Sequence, residues 1–182
     1  GTEHRRGGQN IRRWGDLGVG GAWSARTINP YSWSIDDSFG FYLQSAVLLG
    51  SHRWNPALRG FAHIHHPDGA IYDHGQQILD ALATDPAGIA VSNLRYAVPE
   101  VKALPLGVTP DGPFVLPSDE ALIDQTYPLT RTLPAVIDRP PDGCIDPRVH
   151  ALLCFILSRE GQEAINRDGR YLPLSTSTLL RQ

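Results

Sequence analysis

The chain predicts an α/β layered domain, and three observations carry that expectation. Short windows keep helical apolar periodicity, short β-rich segments fall between them, and clusters of Gly, Pro and Asp separate the two. At 182 residues, 41% hydrophobic and 19% charged, the chain falls in the range of one ordinary globular domain or two small lobes and can bury a core.

After a Gly- and Arg-rich lead, Trp14-Gly15-Asp16-Leu17-Gly18 precedes a glycine-rich turn and Ala22-Trp23. Residues 25–31 read as an extended segment around Ile28. The first clear helix follows. Phe39, Tyr42, Leu43 and Ala46 keep the i, i+3, i+4, i+7 rule, Ser38 stands at the N-cap position, and Gly50 supplies a left-handed stop. Residues 51–75 are loop-like, rich in His, Pro and Gly, with a brief apolar touch at Phe61 and Ile64. Asp73 with Gln76 is close to a capping box for a second helix, whose apolar face is Ile78, Leu79 and Leu82 and which Asp85-Pro86 ends. Residues 88–92 read as a short buried strand and residues 101–106 as another.

Asp111-Gly112-Pro113 marks a turn, and Ser118 caps a short helix through Ile123. Residues 130–137 read as a strand, placed at a sheet edge because Pro134 removes one ladder donor. The loop Arg139-Pro140-Pro141-Asp142-Gly143 leads to Asp146-Pro147, an N-cap followed by Pro at the first helical position. Val149, Leu152, Leu153 and Ile156 give that helix one apolar stripe. Ser158 ends it and caps the next, which stops at Gly169; the tail Tyr171-Leu172-Pro173-Leu174 is apolar enough to fold back onto the helix pair. No internal repeat or low-complexity tract is visible.

A formal charge of -3, with only Arg5-Arg6 and Arg12-Arg13 clustered, argues against a nucleic-acid groove or a membrane surface. No apolar run approaches the roughly 20 residues of a membrane span, and the polar start is no signal peptide, so a soluble chain is expected. The sequence has no Met, so Gly1 is not expected to be a translation start. Cys144 and Cys154 are ten positions apart; a disulfide is conceivable there but not signalled.

Seven stretches, in order and at matching spacing from about residue 11 to residue 174, resemble the phosphate-binding proteins of ABC transporters. They are Trp14-Gly15-Asp16-Leu17-Gly18 with Trp23 and Ile28, Gly75-Gln76-Gln77-Ile78-Leu79-Asp80-Ala81-Leu82, Asp85-Pro86-Ala87-Gly88-Ile89-Ala90, Val101-Lys102-Ala103-Leu104, Tyr127-Pro128-Leu129-Thr130-Arg131, Leu157-Ser158-Arg159-Glu160-Gly161-Gln162 and Gly169-Arg170-Tyr171-Leu172-Pro173-Leu174. The resemblance implies a periplasmic-binding-protein-like two-lobed fold that holds an anion between lobes closing on a hinge. It implies one full lobe plus the C-terminal half of the other: residues 1–24 as lead-in, 25–93 as lobe two, and 94–182 as the returning half of lobe one. The family's opening half-lobe, with one of its phosphate-binding loops, is then not part of this sequence. A periplasmic or secreted location, phosphate or a related oxyanion as ligand, and an ABC transporter permease as partner are implied with it.

The family's motif in lobe two, a Ser-Gly-Thr type helix start, corresponds here to Trp33-Ser34-Ile35-Asp36-Asp37-Ser38-Phe39-Gly40. A helix N-terminus offers unpaired N–H groups and about half a positive charge, so Ser38 Oγ with the N–H groups of Phe39 and Gly40 can hold an oxyanion. Asp36 or Asp37 can accept the proton of monohydrogen phosphate. The sequence departs from the motif in two ways: no Arg precedes it, and the glycine follows Phe39. Adjacent Asp36 and Asp37 repel a dianion unless a cation such as Arg26, Arg95 or Arg131 compensates. Read without the family, Ser38 is an N-cap with acidic neighbours suited to the helix dipole. Both readings of residues 36–40 stand at this point.

His63, His65, His66 and His74 occupy a stretch with no register to converge them, so no metal site is expected. Cys154 and His150 imitate a nucleophile–base pair, but Cys154 reads as core, Arg131 as a structural ion pair, and Trp14, Trp23 and Tyr127 as packing residues. With no metal cluster or activated nucleophile at recognisable spacing, the expectation is a binding protein without a cofactor, not an enzyme. The alternative is a divergent interaction or surface module on the same fold, without phosphate transport.

Overall fold

The computed structural model describes residues 11–138 and 143–181. The Arg5-Arg6 pair and most of the predicted loop at 139–143 lie outside these. The chain is mixed α/β and divides into two compact units, Gly1–Lys102 and Ala103–Gln182.

The first unit is built on strand β1 (Asn29–Trp33), the centre of a parallel sheet. On one side β1 pairs with β2 (Arg59–Phe61), setting Tyr31 against Arg59 and Trp33 against Phe61. On the other it pairs with β5 (Gly88–Ala90), setting Asn29 against Gly88 and Tyr31 against Ala90. Parallel neighbours need crossover connections, and helix α1 (Ser38–Ala46) lies in the first of them. The second contains a small antiparallel hairpin, β3 (Ile64–His65) with β4 (Ile71–Tyr72), followed by helix α2 (His74–Ala83).

Burial follows from β1 being covered on both faces. Tyr31, Ser32 and Trp33 are all buried, and Ile78 and Leu79 of α2 complete the core with Tyr31 and Trp33. Asp85 ties the strand to the turn after α2 by accepting hydrogen bonds from Asn29 Nδ2 and the Tyr31 hydroxyl, each at 2.7 Å, and from the Ala87 N–H at 2.9 Å. Gln77 is also buried; its amide donates to the carbonyls of Ala62 and Tyr72 at 2.8 Å each and so clamps the open end of the hairpin.

The second unit is helical: α3 (Asp119–Ile123), α4 (Pro147–Leu157), α5 (Arg159–Asp168) and α6 (Thr176–Leu179). Gly161 lets α5 start against the end of α4, since a Cβ there would stand 2.0 Å from the Phe155 carbonyl oxygen. Gln162 then holds the tail in place, donating to the Ile156 carbonyl and accepting from the Leu174 N–H, both at 2.7 Å. The apolar tail thus returns to the helix pair. Among the described residues of this unit, only Ala121, Gly161 and Gln162 are buried.

Several sequence expectations need correction. The N-cap of α1 is Asp37, with Ser38 the first helical residue, because Asp37 carries the extended backbone and accepts from the Phe39 N–H. The extended segment lies at Asn29–Trp33, not at 25–31, and residues 51–75 contain β2 and the hairpin. The strand expected at 88–92 exists as β5, but as an edge strand it leaves Ile89 37% exposed. Residues 101–106 and 130–137 form no strand; Leu106 makes a single bridge with Val115, while Leu133 and Val136 are exposed. β-propensity without a pairing neighbour does not make a strand. Cys144 and Cys154 are free thiols, and Cys154 is exposed, not core.

Candidate functional site

Strand β1 ends at Trp33, and four residues separate it from α1, which starts at Ser38. Residues 36–40 therefore lie beyond the carboxyl end of the central parallel strand, the place where open α/β sheets bind ligands. The turn is set by backbone contacts: Ser34 N–H donates to the Phe61 carbonyl at 2.9 Å and Asp37 N–H to the Ser34 carbonyl at 3.1 Å. Gly40 is buried where no larger residue fits, since its Cβ would meet the Ile35 carbonyl oxygen at 2.5 Å.

Asp36 and Ser38 are exposed, Asp37 and Phe39 half-buried. Asp37 Oδ1 accepts from the Phe39 N–H at 3.1 Å and from the Ser38 hydroxyl at 3.2 Å. Two of the donors expected to meet an oxyanion are thus engaged by the protein's own carboxylate. Phe39 packs its ring 3.9 Å from that of Trp33, which fixes the first turn of α1 against the core.

The start of α2 comes to the same place. Its N-cap Asp73 accepts from the Gly75 N–H at 2.8 Å. His74, the next residue, places Nδ1 3.5 Å from Asp37 Oδ2, so the first turns of α1 and α2 meet through this pair. The His74 ring stacks on that of His63, with centroids 3.9 Å apart, and meets Trp33 edge-on. His63 Nδ1 accepts from the His74 backbone N–H at 3.3 Å and lies 3.9 Å from Asp73 Oδ2. Arg95 reaches the same oxygen at 3.6 Å and also contacts the Tyr96 hydroxyl.

Burial pushes the His74 imidazole below its ordinary pKa, helped by the neighbouring His63 and opposed by Asp37 and Asp73. For Asp73, burial acts to raise the value, but the Tyr96 hydroxyl, the Gly75 N–H and the two histidines outweigh it and hold the carboxyl low. The pattern at neutral pH is a neutral His74 imidazole beside an ionised Asp73 carboxylate.

Of the three arginines considered as compensating cations, the structure brings Arg95 to this neighbourhood. Arg26 lies over the Trp23 ring at 4.3 Å, and Arg131 belongs to the second unit. The expectation that the histidines do not converge is corrected for His63 and His74: with Asp73 they place ligand-type atoms within 4.8 Å of one another. His65 is not part of this cluster, although its ring lies 6.3 Å from that of His63. His150 and Cys154 are adjacent, with Sγ 3.7 Å from Nδ1, but both are exposed on α4.

No protein-family model matches the chain. It is 26% identical over 167 residues to the phosphate-binding protein PstS of two strains of Pseudomonas aeruginosa, an alignment that covers 91% of this chain and 47% of each relative. The chain therefore spans about half the length of the curated relatives it matches. No helix among the described residues is long and apolar enough to cross a membrane.

Proposed function

We propose that the chain is part of a phosphate- or oxyanion-binding receptor of the periplasmic-binding type, which takes its ligand at Asp36, Asp37, Ser38, Phe39 and Gly40. One observation carries the reading: an alignment to phosphate-binding proteins, 26% identical, covers nine-tenths of the chain. The placement of residues 36–40 at the carboxyl end of β1 and the N-terminus of α1 supports it. The protein acts by reversible binding, without chemistry, and delivers its ligand to an ABC transporter permease outside the cytoplasm. Residues 25–93 serve as one lobe and 94–182 as the returning half of another, a division favoured by the small buried core of the second unit.

Binding at this site is an exchange. The Asp37 carboxylate turns away from the Phe39 N–H and the Ser38 hydroxyl, leaving both to the ligand, and accepts the proton of monohydrogen phosphate. Arg95, held nearby by its contact with Asp73, offsets part of the charge of the two carboxylates. Titration calorimetry with phosphate and with sulfate tests this directly. Phosphate is expected to give heat and sulfate little, and Ser38→Ala to weaken phosphate binding about tenfold, the equivalent of one charge-assisted hydrogen bond. Absence of phosphate heat at millimolar ligand rejects the assignment.

A second reading, an interaction or surface module without transport, draws on one observation. Asp37 already fills the first turn of α1, and with Asp36 it opposes a dianion. Unchanged ligand affinity in Ser38→Ala and Asp37→Ala would favour it.

A further inference from the structure

We propose that His63, Asp73 and His74 form a site for a divalent transition-metal ion, with zinc the best match, and that Asp37 lies in position to supply a fourth ligand. The proposal does not depend on phosphate binding. It rests on how the hairpin closes. In the β3–β4 pairing Ile64 faces Tyr72 and His65 faces Ile71. One step further along the same register, His63 faces Asp73, and His74 follows at once as the first residue of α2. The two ends of a short hairpin thus bring His63 to the adjacent pair Asp73 and His74, and the buried Gln77 amide fixes the ends in place.

The donor set is two imidazoles and a carboxylate, which suits zinc and neighbouring divalent ions better than magnesium or calcium. One ring nitrogen from each histidine and a carboxylate oxygen lie within 4.8 Å of one another. Tetrahedral zinc, with bonds of about 2.0–2.1 Å, needs neighbouring donors roughly 3.4 Å apart, so the widest separation has to close by up to about 1.4 Å. His63 is exposed and makes that movement, giving up its ring stacking and its 3.3 Å acceptance from the His74 N–H.

Two further details favour a ligand here. His74 Nδ1 is buried and, among the described residues, has no hydrogen-bond partner; Asp37 Oδ2 stands 3.5 Å away. An orphaned buried nitrogen is costly unless something takes its lone pair or proton. Asp73 divides its oxygens: Oδ1 keeps the α2 cap through Gly75, while Oδ2 faces His63. Ligation through Oδ2 therefore leaves the helix start intact, and the cap orients the ligand. Arg95, 3.6 Å from Asp73 Oδ2, works against a cation and must swing away.

The test is titration of the untagged chain with zinc ion in phosphate-free buffer, followed by calorimetry and by the visible absorption of a cobalt(II) substitute. One ion per chain is expected, with a cobalt spectrum of nitrogen–oxygen tetrahedral type. His63→Ala is exposed and leaves folding intact, and Asp73→Asn keeps a good N-cap; each is expected to weaken binding about tenfold or more. Arg95→Gln is expected to tighten it. No stoichiometric uptake would overturn the site, as would wild-type affinity in the His63→Ala, Asp73→Asn double variant. Loss of binding in His150→Ala with Cys154→Ala, instead of in these variants, would overturn it too. Because phosphate is absent throughout, failure here leaves the oxyanion reading where it stands.

Discussion

His74 is a residue on which burial and charge pull in opposite directions. Burial and His63 disfavour its protonated form, Asp37 and Asp73 favour it, Arg95 adds a further positive charge, and the net effect is a lowered pKa. The unfolded chain then binds the proton more tightly than the native one, so stability rises with pH across the interval between the two values. The contribution of neutral His74 is whole above about pH 6.5, the unfolded value, and is lost as pH falls through the lower native value. Urea midpoints measured from pH 8 to pH 5 in a chelator are expected to fall, and His74→Gln to flatten that slope. An unchanged slope in the variant would remove His74 as the cause. Asp85 has the same sign at lower pH. Its bonds from Asn29 and Tyr31 hold the carboxyl below its ordinary value, so its contribution is present above about pH 3.9 and lost below it. Asp85→Ala leaves those donors without their acceptor and is expected to cost about 1–3 kcal/mol at neutral pH, read as a drop in Tm. Single residues of this kind were half legible in the sequence: Asp73 and Asp85 were recognised as helix punctuation, but nothing local told that each also binds side chains far along the chain.

At the scale of elements, helices were legible where their ends are local chemistry. Ser118, Asp146 and Ser158 cap α3, α4 and α5 as expected, and Gly169 ends α5 with φ +70°. Only α1 is off by one at its start, because Asp37 and Ser38 are both capping types and it is Asp37 that keeps the extended backbone and accepts from the Phe39 N–H. Strands were less legible, since β2 and β5 are three residues long and exist through β1, which is distant in sequence from both. The same blindness hid the histidine cluster. Its signal was the turn at Asp68-Gly69 with chemistry-bearing residues spaced evenly on either side, which only a hairpin register makes meaningful. The α4–α5 junction gives an element-scale prediction. Replacing a helical glycine by alanine ordinarily gains up to about 1 kcal/mol, whereas overpacking costs about 1–3 kcal/mol. At Gly161 the added carbon meets backbone, the Phe155 carbonyl oxygen at 2.0 Å, which cannot rotate aside. Overpacking wins, so Gly161→Ala is expected to lower Tm and splay the helix pair. A neutral or stabilising effect would show that this junction can yield to the added carbon.

For the whole molecule, the telling contrast is between the two units. Both leave large apolar side chains in water, but the first encloses Trp33 and Ile78 almost completely, while among the described residues of the second the buried hydrophobic residue is Ala121 and Leu133, Val136, Leu152, Phe155 and Leu180 are between 54% and 88% exposed. Side chains of that size gain about 1.5–3 kcal/mol each when fully buried, so a unit that leaves them in water forgoes much of the term that offsets chain entropy. Two consequences follow. The second unit is expected to open first, with amide protons of α4 and α5 exchanging faster than those of β1 and α2 under native conditions. Its apolar surface is also expected to attract a cover, read as binding of a hydrophobic dye and as self-association that increases with concentration in sedimentation. Phe155→Ser is expected to weaken both without changing exchange in β1, because Phe155 is 54% exposed and belongs to the second unit. If the chain stays monomeric and dark to the dye, and α4 is protected as well as α2, then the second unit is self-sufficient despite its exposed side chains. The reading of it as half of a larger lobe would then lose its physical support, while the site at the meeting of α1 and α2, which is built wholly within the first unit, would be untouched.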